Sequence, residues 1–124
     1  DGAFEYSGIV EVEIELPTKF ELYQNYPNPF SKGSGGSSVT TIKYSIPQVE
    51  TQNPDKSGQV FASQQVTLKV FDILGREIST LVNAKQAPGN YEVRFNGNKL
   101  PSGIYLYQLQ SKNFIKTKKM VLIR

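Results

Sequence analysis

The chain has 124 residues with seven Phe, seven Tyr, no Trp, no Cys and no His, and its 14 Lys and Arg against 11 Asp and Glu leave a formal charge of +3. That length fits one domain able to bury a core without disulfides or a metal, so stability gives no reason to expect a cofactor, and none is expected. The absent residue types exclude a Ser-His-Asp or Cys-His nucleophilic pair, a His general base and a thiolate or imidazole zinc site.

The chain opens on Asp1-Gly2-Ala3-Phe4-Glu5, which lacks the basic and apolar regions of a signal peptide; a start on Asp1 is expected of a processed product or a fragment. No apolar run approaches the length that crosses a bilayer, so no membrane insertion is expected. Period-two alternation begins at once, with Val10, Val12, Ile14 and Leu16 against Glu11, Glu13 and Glu15, and returns with Ile42, Tyr44 and Ile46 against Lys43 and Ser45. Residues 66–71, 91–95 and 104–109 repeat it, and no helical stripe competes. Between them, Asp72-Ile73-Leu74-Gly75 predicts a type I turn and Ala87-Pro88-Gly89-Asn90 a type II turn. Asn96-Gly97-Asn98 permits positive φ, and Pro101-Ser102-Gly103 marks the entry to the next strand. Residues 31–38 have the composition of a flexible linker, and 48–65 read as a long polar loop.

Short strands separated by turns about every ten residues predict an all-β fold, an antiparallel β-sandwich of about seven or eight strands. The expected core is Ile42, Tyr44, Val66, Leu68, Val70, Tyr91, Val93, Phe95, Ile104 and Leu106. Charge is laid out unevenly. The first strand is acidic, whereas Lys112, Lys116, Lys118, Lys119 and Arg124 crowd a last strand that carries no acid.

Few residues are candidates for chemistry. Glu11, Glu13 and Glu15 project from one face at a spacing of roughly 6 to 7 Å, but a carboxylate row without a pocket is a solvated face. Asp55 sits in a turn-like Asn53-Pro54-Asp55-Lys56-Ser57-Gly58, with Lys56 where a calcium loop wants a second carboxylate, so no metal is expected. The terminal lysines beside Tyr105 and Tyr107 make a poor nucleic-acid groove, because alternation sends Lys116 and Lys118 to one face and Lys119 to the other; guarding an open sheet edge is their commoner use. Tyr26-Pro27-Asn28-Pro29-Phe30 is both a rigid corner and a candidate epitope, its prolines pre-extending the backbone and holding the aromatics outward.

The segments LYQNYPNPF (22–30), TIKYSIP (41–47), VTLKVFDILGREISTL (66–81), APGNYEVRF (87–95), LPSGIYLYQL (100–109) and KTKKMVLIR (116–124) resemble, in family order, the C-terminal type A sorting domain of the type IX secretion system. The resemblance covers roughly 16–124. It implies an Ig-like antiparallel sandwich with no enzymatic activity, a secretion signal that directs an exported cargo protein, via the periplasm, to the cell surface of a Gram-negative bacterium or into the medium. It implies outer-membrane type IX translocon and shuttle proteins as partners, and removal of the domain by a sortase-like cysteine protease. Carried onto this chain, recognition falls on Pro27, Asn28, Pro29, Phe30, Gly103, Tyr105, Lys116 and Lys119. Two departures from the family are insertions at 31–39 and 48–65, which loops tolerate. Residues 17–124 then form the sorting domain. Residues 1–16 resemble the last strand of an Ig-like or fibronectin-like module that commonly precedes it.

An alternative follows from that first strand. The row Val10, Val12, Ile14 and Leu16 suits donation to a neighbouring sandwich, which would make the chain an extracellular structural subunit, a homo-polymer built by strand exchange. A carbohydrate-binding module lacks an exposed Trp and has only Tyr23, Tyr26 and Tyr44 to offer sugars, and a carboxylate enzyme ranks last.

Overall fold

The computed structural model describes residues 16–31, 38–48 and 63–123. The donor row Val10, Val12 and Ile14, the acidic row Glu11, Glu13 and Glu15, and the Asp55 turn lie outside the described residues. Among the described residues eight strands follow one another: β1 (Glu21–Leu22), β2 (Phe30–Ser31), β3 (Val39–Ile46), β4 (Gln64–Asp72), β5 (Glu77–Gln86), β6 (Gly89–Asn96), β7 (Gly103–Ser111) and β8 (Phe114–Ile123). They form a three-stranded sheet of order β1-β3-β6 and a five-stranded sheet of order β2-β8-β7-β4-β5. The architecture is the expected all-β sandwich. Every pairing is antiparallel except that of β2 with the end of β8, where Phe30 lies beside Leu122 and Ser31 beside Ile123 in parallel register.

Alternation explains most of the core. Ile42, Tyr44, Val66, Leu68, Val70 and Phe95 are buried as expected, while Tyr91 and Val93 pack against them half-buried. Strand β7 is the exception. Tyr105, Tyr107 and Leu109 point inward, and Ile104 and Leu106 take the outer face, Ile104 being 39% exposed. The run Ile104-Tyr105-Leu106-Tyr107 is apolar at every position, so period two cannot choose its inner face. Partners for the phenols decide it: the Tyr105 hydroxyl donates to the Pro101 carbonyl at 2.7 Å and that of Tyr107 to the Tyr23 carbonyl at 2.7 Å. Phe30, Met120 and Leu122 complete the interior.

The turns answer individually. At the β4–β5 hairpin the Gly75 amide donates to the Asp72 carbonyl at 3.0 Å and Gly75 holds φ at 89°, the positive value that favours glycine. The Asp72 carboxylate accepts the Leu74 and Arg76 amides and pairs with the Arg76 side chain at 2.7 Å. Its pKa is held below the ordinary value, first by the Arg76 amide and then by the Arg76 guanidinium. The Pro88–Gly89 corner instead carries the chain from one sheet to the other, and Gly89 holds a positive φ of 154°, far from the roughly +80° of a type II turn. Gly97 has no positive φ. It is glycine because of close approach: a Cβ there would meet the Leu122 side chain at 3.1 Å and the Phe30 ring at 3.2 Å.

Both neighbours are buried and held by the β2–β8 pairing, so Gly97→Ala is expected to destabilise the fold by about 1–3 kcal/mol, as overpacking does. A lower urea midpoint at unchanged m-value checks this, and an unchanged midpoint would show that the two side chains can yield.

Candidate recognition surface

The segment from Tyr23 to Ser31 leaves one sheet and joins the other, and side chains fasten it at nearly every step. Tyr26 and Thr41 exchange main-chain hydrogen bonds of 3.0 and 2.9 Å, which ties the segment to β3. Buried Asn25 donates its amide N–H to the Tyr107 hydroxyl at 2.8 Å and its side-chain Nδ2 to the Thr40 hydroxyl at 2.9 Å and the Pro27 carbonyl at 3.1 Å. The Thr40 hydroxyl in turn donates to the Pro27 carbonyl at 2.8 Å. Further along, the Asn28 Oδ1 accepts the Val121 amide at 3.0 Å, and the Gln24 Nε2 donates to the Lys119 carbonyl at 2.8 Å. The corner is therefore stapled to the rim of β8.

The expected recognition residues divide on this frame. Pro27, Asn28 and Pro29 are exposed on a corner whose Tyr26–Pro27 and Asn28–Pro29 bonds are both cis. Tyr26 points outward, 79% exposed. Phe30 does not. It is fully buried, with its ring edge-on to Phe95 at a centroid distance of 6.2 Å, so only one of the corner's two aromatics is presented to solvent. Tyr105 is also buried, and half-buried Gly103 opens β7 opposite Leu122. Lys119 is exposed on the outer face opposite Leu106, one residue from the Val121–Met120 rim that Asn28 caps. Lys116 is exposed farther along, opposite Leu109 and on the other face, as alternation predicts. The structure thus gathers Pro27, Asn28, Pro29, Gly103 and Lys119 at one end of the five-stranded sheet, supports them with Phe30 and Tyr105 from beneath, and leaves Lys116 apart.

Sequence reasoning missed several residues of this end. Gln24 and Asn25 carry no periodic signal, since their role lies in partners some eighty or more positions away. Ile104 and Leu106 were assigned to the core, yet on the outer face Ile104 pairs with Val121, and Leu106 lies between Phe71 and Lys119. Next to them, Ile73 and Leu74 stand 67% and 75% exposed on the rigid Asp72 turn and, with Leu100, Pro101 and Ile104, line a groove of about 300 Å³. Among the described residues no cluster of His, Cys, Asp or Glu fits a metal ion, and no helix is long and apolar enough to cross a membrane.

A family model described as the secretion system C-terminal sorting domain matches residues 24–123. The chain belongs to this family. No curated protein matches it. The match begins at Gln24, the first residue stapled to β8, and runs to Ile123, the end of that strand. As a C-terminal sorting signal for type IX secretion, the domain engages the secretion machinery and is exported to the cell surface or secreted. Nothing in the match or among the described residues supports the strand-exchange polymer.

The sorting domain depends on the Tyr107 hydroxyl, which serves Tyr23 and Asn25 together. Tyr107→Phe is expected to cost about 1–3 kcal/mol by stranding both groups, and Asn25→Ala a similar amount; the double variant should lose less than the sum, because the two share one network. Urea titration of the three variants checks this. Burial also pushes the Tyr107 phenol up to about 12. With an unfolded value near 10, its contribution is complete below pH 10 and is lost as pH rises from there through 12. Burial raises Tyr44 as well, so in Tyr107→Phe the alkaline slope of stability should shrink without vanishing.

Proposed function

We propose that the sorting domain occupies residues 17–124 and is a non-catalytic address read by the outer-membrane translocon and its shuttle. The route runs through the periplasm of a Gram-negative bacterium. Recognition uses the end of the five-stranded sheet, where Pro27, Asn28 and Pro29 supply a preset backbone shape, Gly103 the opening of β7 and Lys119 positive charge, and Lys116 adds a second charge farther along β8 on the other face. Phe30 and Tyr105 act from inside by fixing the surface. The observation that carries this reading is the Asn28–Val121 hydrogen bond together with the β2–β8 pairing, which fuses the proline corner and the terminal basic strand into one surface. Two segments ninety residues apart thereby become a single epitope that exists only in the folded domain. Rigid corners lose little entropy on binding, which suits a surface read in passing.

Fusing residues 17–124 to an inert periplasmic cargo is expected to export it from a host with the type IX system. Lys116→Glu with Lys119→Glu leaves the core untouched and is expected to reduce export at least about tenfold, the scale of 1.4 kcal/mol in binding. Circular dichroism of the variant separates folding from recognition. Undiminished export of a folded double variant would remove the lysines from the contact.

A further inference from the structure

Among the described residues, most of one side of β8 pairs with no strand. In an antiparallel pair the N–H and C=O of a given residue point to the same side, and successive residues alternate. The β7–β8 register runs without a break from Gly103–Leu122 to Ser111–Phe114. The Val121 amide and the Lys119 carbonyl both bond away from β7, to Asn28 and Gln24. Ile115 and Thr117, of the same parity, therefore also turn their main-chain groups outward. On that side β2 pairs only with Leu122 and Ile123. Among the described residues, then, the outward donors and acceptors of Ile115 and Thr117 and the outward N–H of Lys119 meet no strand.

This edge extends about 17 Å, five residues in extended form. Its ends are fixed: Phe114 stacks on Phe20 at 4.6 Å, and Asn28 caps Val121. Its side chains are charged in one sense. Lys116 and Lys118 lie on one face, with Ile115, Thr117 and Lys119 on the other, and none of the three lysines makes an ion pair among the described residues, where the salt bridges are Lys19–Glu21, Lys69–Glu77 and Arg76–Asp72. Lysines along an edge deter pairing with a second copy, since like charges would meet across the new ladder. The same lysines favour a strand of opposite charge.

We propose that 115–119 of β8 is a strand-addition site for an extended partner segment of the secretion machinery in which carboxylates alternate with branched aliphatic residues. Carboxylates on one face of that segment lie opposite Lys116 and Lys118, and branched side chains on the other lie opposite Ile115 and Thr117. Main-chain bonds supply attachment and the lysines select the sign. The partner assignment rests on the sorting reading above, to which it adds the mode of contact.

The test is amide exchange by NMR on the full chain with two capped synthetic peptides, Val-Glu-Val-Glu-Ile-Glu and Val-Lys-Val-Lys-Ile-Lys. The acidic peptide is expected to slow exchange at Ile115, Thr117 and Lys119 at least about tenfold. The basic peptide should leave them unchanged, and Lys116→Glu with Lys118→Glu should abolish the effect while the remaining cross-peaks report an intact fold. Unchanged amides, or equal protection by both peptides, overturn the proposal. So does protection already present in the free chain and released by Val12→Lys with Ile14→Lys, which would give the edge to the chain's own acidic first segment. The readout is independent of export: export lost with protection intact counts against the recognition surface of the preceding section, whereas export intact without protection overturns strand addition.

Discussion

The hydroxyl of Tyr107 holds the sandwich to its crossing segment. It sits at the middle of the five-stranded sheet, fully buried, and there it donates to the Tyr23 carbonyl and accepts the Asn25 amide. Those two groups belong to a stretch that has just left β1 in one sheet and is about to enter β2 in the other. A segment crossing between sheets has no ladder to satisfy its backbone, and a buried polar group left unpaired costs about 1–3 kcal/mol. The phenol takes the place of the ladder. Once Asn25 is fixed, its side chain fixes Thr40 and Pro27, the proline corner follows, and Asn28 and Gln24 reach the rim of β8.

A five-stranded sheet facing a three-stranded one cannot be covered equally everywhere, and the consequences lie at its margins. Along β5 the register slips between Leu68 and Lys69 and again between Val70 and Phe71, so burial there loses strict alternation and Ile78, Leu81 and Val82 are only partly covered. Along β8, Phe20, just ahead of β1, stacks on Phe114, and the crossing segment reaches the rim at Lys119 and Val121 through Gln24 and Asn28; among the described residues no strand pairs with the stretch between. The positive charge of the last strand falls on that stretch. The proposed recognition and strand-addition sites and the protection of the edge draw on the same few lysines, which is why their substitutions must be checked for fold before they are interpreted as contacts.

Much of this was legible in the chain itself. Alternation identified the two-faced strands at 42–46, 66–70 and 91–95, because a strand with one wet face must write its period into its residue types. Asp72 and Gly75 named their turn, since an Asx side chain and a positive φ are local requirements. The order of motifs named the family, and with it the sorting role.

What only the tertiary structure decided depends on partners distant in sequence. The inner face of β7 turned on where two phenols could find carbonyls, which a run of uniformly apolar residues cannot record. Gly97 proved to be small because Leu122 and Phe30 press on it, a contact between segments far apart. Phe30, read as a presented aromatic, became core because β2 lies down beside the end of β8. The proline corner and the basic strand were each visible in the sequence as separate features; their union is a product of hydrogen bonds between Asn28 and Val121 and between Gln24 and Lys119. Local preference and periodicity are encoded residue by residue, whereas the pairing of remote polar groups is encoded only in the folded arrangement that lets them meet.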